Sequence, residues 1–138
     1  MEFYTYRLPN GIRGIHRQVK GAVAHCALVV DAGSRDERTG EYGLAHFTEH
    51  AFFKGTQRRR AWQVNCRLEN LGGELNAFTT KEDTTIHATT LRSDFPKAAE
   101  LIADVAFRSV YPDRELEREK EVIADEINTY KDSPADLI

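Results

Sequence analysis

Apolar positions change their spacing several times along the 138 residues, and each change predicts an element. Residues 3–8 and 12–17 read as strands on either side of Pro9-Asn10-Gly11, which is the pattern of a hairpin. The run Val23–Val30 is almost wholly apolar and predicts a central, well-buried strand ended by Asp31-Ala32-Gly33-Ser34. Residues 35–40 are polar and predict a loop. From Tyr42 the period turns helical: Leu44, Phe47, Ala51 and the pair Phe52-Phe53 recur until Lys54-Gly55, a basic residue and a glycine that mark a helix end. A second helix is expected over residues 61–71, closed by Gly72-Gly73, and residues 74–79 and 84–91, rich in Thr, Phe and Ile, predict a pair of strands. A third helix opens at Phe95-Pro96 with Ser93 or Asp94 as its N-cap and Ala99, Ile102 and Ala106 on one face. The last begins after Tyr111-Pro112-Asp113 and runs to about Asp132, with Pro134 just beyond. These elements predict an α+β fold, an antiparallel or mixed sheet with helices packed on one side.

Composition narrows the class. With 41% hydrophobic and 30% charged residues the chain can build one soluble domain, residues 1–138, and a second complete domain would not fit. The formal net charge of −3 is spread along the chain, which argues against nucleic acid or anionic lipid as a partner. The run Arg58-Arg59-Arg60 is a local exception and reads as a solvated loop. No apolar stretch approaches the ~20 residues of a membrane span, and no signal-peptide pattern opens the chain, so a soluble, cytoplasmic protein is expected. Cys26 and Cys66 lie in apolar runs and read as buried free thiols; without a CxxC pair, sulfur ligation of a metal is not expected.

The chemistry concentrates in His46-Phe47-Thr48-Glu49-His50, an H-x-x-E-H. On a helix, residues four apart share a face, so both imidazoles can reach one ion, while Glu49 points to nearly the same side and is placed to take a proton from a water. A hydrolytic zinc site usually takes a third protein ligand, and beside two histidines a carboxylate is the expected type. The last helix carries Leu116, Glu119, Ile123, Glu126 and Tyr130 at spacings of 3, 4, 3 and 4, which sets two carboxylates on one apolar stripe. Burying such a carboxylate calls for a cation. Spacing alone leaves open whether that cation is a metal or one of Arg114, Arg118 and Lys120, or whether the stripe is less buried than it looks.

The sequence closely resembles the pitrilysin/insulinase family of zinc peptidases, the inverted zincins that include mitochondrial processing peptidase. The resemblance is carried by Gly33-Ser34-Arg35, the run from Gly43 to His50, Phe53-Lys54-Gly55-Thr56, Leu71-Gly72-Gly73, Leu75-Asn76-Ala77-Phe78-Thr79, and Glu117-Arg118-Glu119 with Asp125-Glu126-Ile127, in the family's order and nearly the whole length of the chain. It implies that His46, His50 and Glu126 ligate one zinc ion, that Glu49 is the catalytic base, and that Glu119 orients a ligand from behind. It also implies that Asn76, Ala77, Phe78 and Thr79 belong to an edge strand that pairs with a peptide substrate, and that the metal lies between the helices expected over 42–54 and 113–132, at the sheet edge. Family members close two homologous halves on the substrate. The resemblance therefore implies a truncated N-terminal part or a reduced relative, one that would need its remainder, or a second half or subunit. On its own it would cleave weakly or not at all, because a lost oxyanion donor costs about 10²–10³ in rate, and its uncovered apolar surface would favour self-association.

Overall fold

The computed structural model describes residues 2–131. Two strands, β1 (Tyr4–Arg7) and β2 (Arg13–His16), form the expected hairpin as a separate antiparallel ribbon. A second, three-stranded sheet holds β3 (Val23–Val30), β4 (Glu74–Thr79) and β5 (Thr84–Leu91) in the spatial order β3-β5-β4, both pairings antiparallel. Four α-helices among the described residues complete the α+β fold: α1 (Leu44–Ala51), α2 (Ala61–Glu69), α3 (Phe95–Arg108) and α4 (Asp113–Lys131). The expected helix stop near Asp132 and Pro134 lies outside the described residues.

The central strand is β5, not β3. The run Val23–Val30 reads as doubly buried because almost every position is apolar, yet in the fold only alternate residues, Ala24, Cys26 and Leu28, turn to the helices, and Val29 on the other face is 61% exposed. β5 has strands on both sides, so Thr84, Thr85 and Thr90 are buried despite their polarity. Threonine's short β-branched side chain suits such a paired position in spite of its hydroxyl. The core forms where Ile86 and Ala88 of β5 meet Ala98, Leu101, Ile102 and Val105 of α3, with Val64 and Leu68 of α2 and Phe52 closing it. Each fully buried Leu, Ile or Val there contributes about 1.5–3 kcal/mol. The buried stripe of α3 is rotated from the expected one: Ala98, Leu101 and Val105 join Ile102, while Ala99 and Ala106 sit at its margin. Asp94 is the residue at its N-cap, without a side-chain capping bond. Both cysteines are free and half-buried.

Two polar segments also depart from expectation. The segment expected as a plain loop over 35–40 begins with a short 3-10 turn, Ser34–Asp36, that clasps the β4–β5 turn: Ser34 N–H donates to the Thr80 carbonyl at 3.1 Å and Arg35 N–H to that of Lys81 at 2.9 Å. Gly33 is required here, since a Cβ on it would sit 2.6 Å from the Thr80 oxygen. The Arg58-Arg59-Arg60 run is not simply a solvated loop. Arg59 is largely buried and donates to Asp104 at 2.5 Å and to Glu100 at 2.7 Å, while Thr56 donates to the same Asp104 oxygen at 2.8 Å. Asp104 is fully buried in α3, and local composition cannot reveal a partner that lies 45 residues away.

Candidate metal centre

α1 is only eight residues long and begins at Gly43, which adopts φ 88° and offers no side chain to its open amides. Glu37 supplies what is missing, accepting from Gly43 N–H at 2.9 Å and Ala45 N–H at 2.8 Å and setting a negative charge at the positive end of the helix. At the other end Ala51 and Phe52 are buried and anchor the helix in the core. Between these fixed ends His46, Glu49 and His50 are half-buried.

α4 crosses α1 and presents the predicted stripe. Leu116, Ile123 and Glu126 are half-buried and Glu119 is buried; the side chain of Tyr130 lies outside the described residues. His50 Nδ1 lies 2.7 Å from Glu119 Oε1. An ionised carboxylate can only accept, so Nδ1 carries the proton and the Nε2 lone pair of His50 is left facing outward. Lys54 pairs with the other Glu119 oxygen. Burial alone would raise the Glu119 carboxyl, but the hydrogen bonds from Lys54 and His50 outweigh it and hold the group below the usual glutamate range.

The outward-facing His50 Nε2 is 3.2 Å from His46 Nε2 and 3.5 Å from Glu126 Oε2, and His46 Nε2 is 3.7 Å from that same oxygen. Among the described residues this is the one group of three such donors close enough to share an ion. Bonds of about 2.0–2.1 Å in a tetrahedral zinc site place donors about 3.3 Å apart, and three donors at the observed separations share a point about 2.0 Å from each. Two imidazoles and a carboxylate are also a usual hydrolytic zinc set. The residues therefore fit a zinc ion. Of the cations that spacing left open for the stripe, Arg118 is engaged with Glu115 at 3.5 Å and Lys120 with Glu117 at 2.5 Å, while Glu119 and Glu126 face α1. Glu49 makes no ion pair or side-chain hydrogen bond among the described residues.

β4 runs beside this cluster, with Thr79 Oγ1 3.5 Å from the Ala45 carbonyl of α1. It is one of the sheet's two outer strands. The bond from Thr80 N–H to the Asp83 carbonyl sets the parity of the β4–β5 ladder, so the backbone groups of Asn76 and Phe78 are spent on His87 and Thr85, and those of Ala77 and Thr79 face outward. The side chains of Asn76 and Phe78 lie on the open face of the sheet, where Phe78 contacts the ring of His87.

A sequence model of the family described as "Insulinase (Peptidase family M16)" matches residues 15–138. The chain belongs to this insulinase family. Within M16 it is 40% identical over 120 residues to the mitochondrial-processing peptidase subunit beta of Saccharomyces cerevisiae, covering 86% of this chain and 26% of that one. It is 37% identical over 135 residues to a protein of Bacillus subtilis named "Uncharacterized zinc protease YmxG", covering 96% of this chain and 33% of that one. A solved structure described as a protease from Helicobacter pylori superposes with a TM-score of 0.93 at 28% identity, over 99% of this chain and 33% of that one. The M16 chain thus spans about a quarter to a third of the length of these relatives. No helix among its described residues is long and apolar enough to cross a membrane.

Two contributors carry little mark in the sequence. Glu37 lies in a polar stretch with nothing to identify it as a cap for a helix six residues later. Lys54 reads as a helix-end marker, but it continues the spacing of His46 and His50, and that fourfold step is the available signal for its pairing with Glu119.

Proposed function

We propose that residues 1–138 form the N-terminal, zinc-binding domain of an M16 endopeptidase that hydrolyses peptides or small unfolded proteins. The observation that carries this reading is the convergence of His46, His50 and Glu126 on one point at zinc-ligand distance. Those three residues would hold one zinc ion, which when bound supplies the Lewis acidity that activates water and polarises a peptide carbonyl. Glu119 fixes the tautomer and direction of His50, and Lys54 keeps Glu119 charged while it is buried. Glu49, on the same helix and uncommitted among the described residues, takes a proton from water and returns it to the leaving amine. The outward backbone groups of Ala77 and Thr79 pair with an extended substrate, and Asn76 and Phe78 line its path with their side chains. Further groups for substrate closure and oxyanion binding come from a homologous second half or subunit, as the greater length of the relatives supports.

The test is zinc content and cleavage measured on one preparation of the complete peptidase, this domain together with its remainder or second subunit. One zinc per chain and cleavage of an unfolded peptide are expected, with both lost in His46→Ala. Zinc retained undiminished in His46→Ala would refute the ligand set, and a zinc-replete protein that leaves unfolded peptides intact would reduce the metal to a structural role. A milder effect is expected of Glu119→Gln, whose amide cannot balance Lys54 and holds His50 less firmly. Zinc affinity should fall about 10–100-fold without loss of fold, measured by competition with a chromogenic chelator. Unchanged affinity would remove Glu119 from the site.

A further inference from the structure

On the surface around α2, two adjoining cavities of about 450 and 740 Å³ share Arg58, Arg59, Trp62 and Gln63 as a common wall. Trp62, the chain's single tryptophan, is 63% exposed between them. Arg67 and Lys97 line the first cavity, and Arg60 and Arg114 the second. Several of these cations are already engaged: Arg59 with Asp104 and Glu100, Lys97 with Asp94 at 2.7 Å, and Arg58 loosely with Glu100 at 3.8 Å. Arg60, Arg67 and Arg114 are exposed and form no ion pair among the described residues. A chain of net charge −3 therefore gathers guanidinium groups, unpaired among the described residues, around its one indole. Neither cavity is lined by His46, Glu49, His50 or Glu126.

Tryptophan and arginine are the side chains that most often anchor protein interfaces, because a flat indole gives large contact area at little entropic cost and a guanidinium can grip a carboxylate with two bonds. We propose that this groove docks an acidic segment of a partner polypeptide, with an apolar side chain seated on Trp62 and carboxylates on Arg60, Arg67 and Arg114. Charge complementarity selects the occupant. Glu115 lines the second cavity and Glu100 lies beside Arg58 and Arg59. A continuous polyphosphate would be forced against these carboxylates, whereas a peptide can space its charges to miss them.

Trp62 is the only indole of residues 1–138, so in this 138-residue chain its emission reports this groove alone. A short synthetic peptide of alternating Glu and Leu, titrated into the full chain at low salt, is expected to shift that emission saturably, while its Gln and Leu counterpart leaves it unmoved. The triple variant Arg60→Ser, Arg67→Ser, Arg114→Ser should weaken the response at least about tenfold, which is about 1.4 kcal/mol, with an unchanged circular dichroism spectrum; Arg67→Ser alone serves if the triple variant does not fold. Four results would each overturn the proposal: no shift with the acidic peptide, an equal shift with the neutral one, a response the arginine variants retain, or a single-stranded RNA oligonucleotide that acts at lower concentration than the peptide. A Trp62 already shielded from iodide quenching in the full chain would also overturn it, by showing the groove filled from within.

Discussion

Glu49→Gln is expected to leave the zinc content of the complete peptidase unchanged and to lower its cleavage of an unfolded peptide by about 10²–10⁴-fold, the usual contribution of a positioned acid or base. The amide keeps the size and most of the polarity of the carboxylate but cannot accept the proton. Glu49 contributes no ion pair or side-chain hydrogen bond among the described residues, and it is only half-buried. A loss of activity in this variant therefore cannot be ascribed to a broken network, as it could for Glu119. Measuring zinc and kcat on the same sample separates the two functions of the helix: His46→Ala removes metal and activity together, Glu49→Gln activity alone. Equal cleavage by wild type and Glu49→Gln would take Glu49 out of the mechanism.

The part of this arrangement that is legible in the sequence is the part that periodicity dictates. His46 and His50 stand one helical step apart, and the stripe Leu116, Glu119, Ile123, Glu126 sets two carboxylates where an apolar face should be; both statements need only 3.6 residues per turn. That the two helices meet is not a local property. It depends on α1 being fixed by Ala51 and Phe52 in the core and by Glu37 at its start, and on α4 lying across it, none of which leaves a mark on neighbouring residues. The same limit explains the exchange of β3 and β5. Apolar density ranks Val23–Val30 above the threonine-rich Thr84–Leu91, but the rank of a strand within a sheet is decided by what pairs on either side of it. Buried polar clusters are least visible of all, since Arg59 in a run of three arginines looks like a surface residue until Asp104 is found beneath it.

Arg59→Met is expected to destabilise the fold by about 3–5 kcal/mol at neutral pH, the usual cost of removing one partner from a buried ion pair. The magnitude reflects the contacts left to Asp104. That residue is fully buried, one of its oxygens already lacks a hydrogen-bond partner, and without Arg59 the other keeps only the Thr56 hydroxyl, with Arg108 3.7 Å away on the unbonded side. The dependence on pH distinguishes lost charge pairing from lost packing. In the wild type, burial would raise the Asp104 carboxyl, but the hydrogen bonds from Thr56 and Arg59 and the charges of Arg59 and Arg108 hold it below the usual aspartate value. A carboxyl whose folded pKa is depressed adds stability that is complete above the unfolded value of about 3.9 and is lost as pH falls through the folded one. In Arg59→Met the desolvation cost stands with less opposing it, so the carboxyl's pKa rises and protonation of Asp104 relieves part of the strain. The stability gap between the two proteins, from urea unfolding at several pH values, should therefore narrow as pH is lowered toward 4. A gap that stays constant over that range would assign the loss to the missing methylene packing of Arg59 and not to its charge.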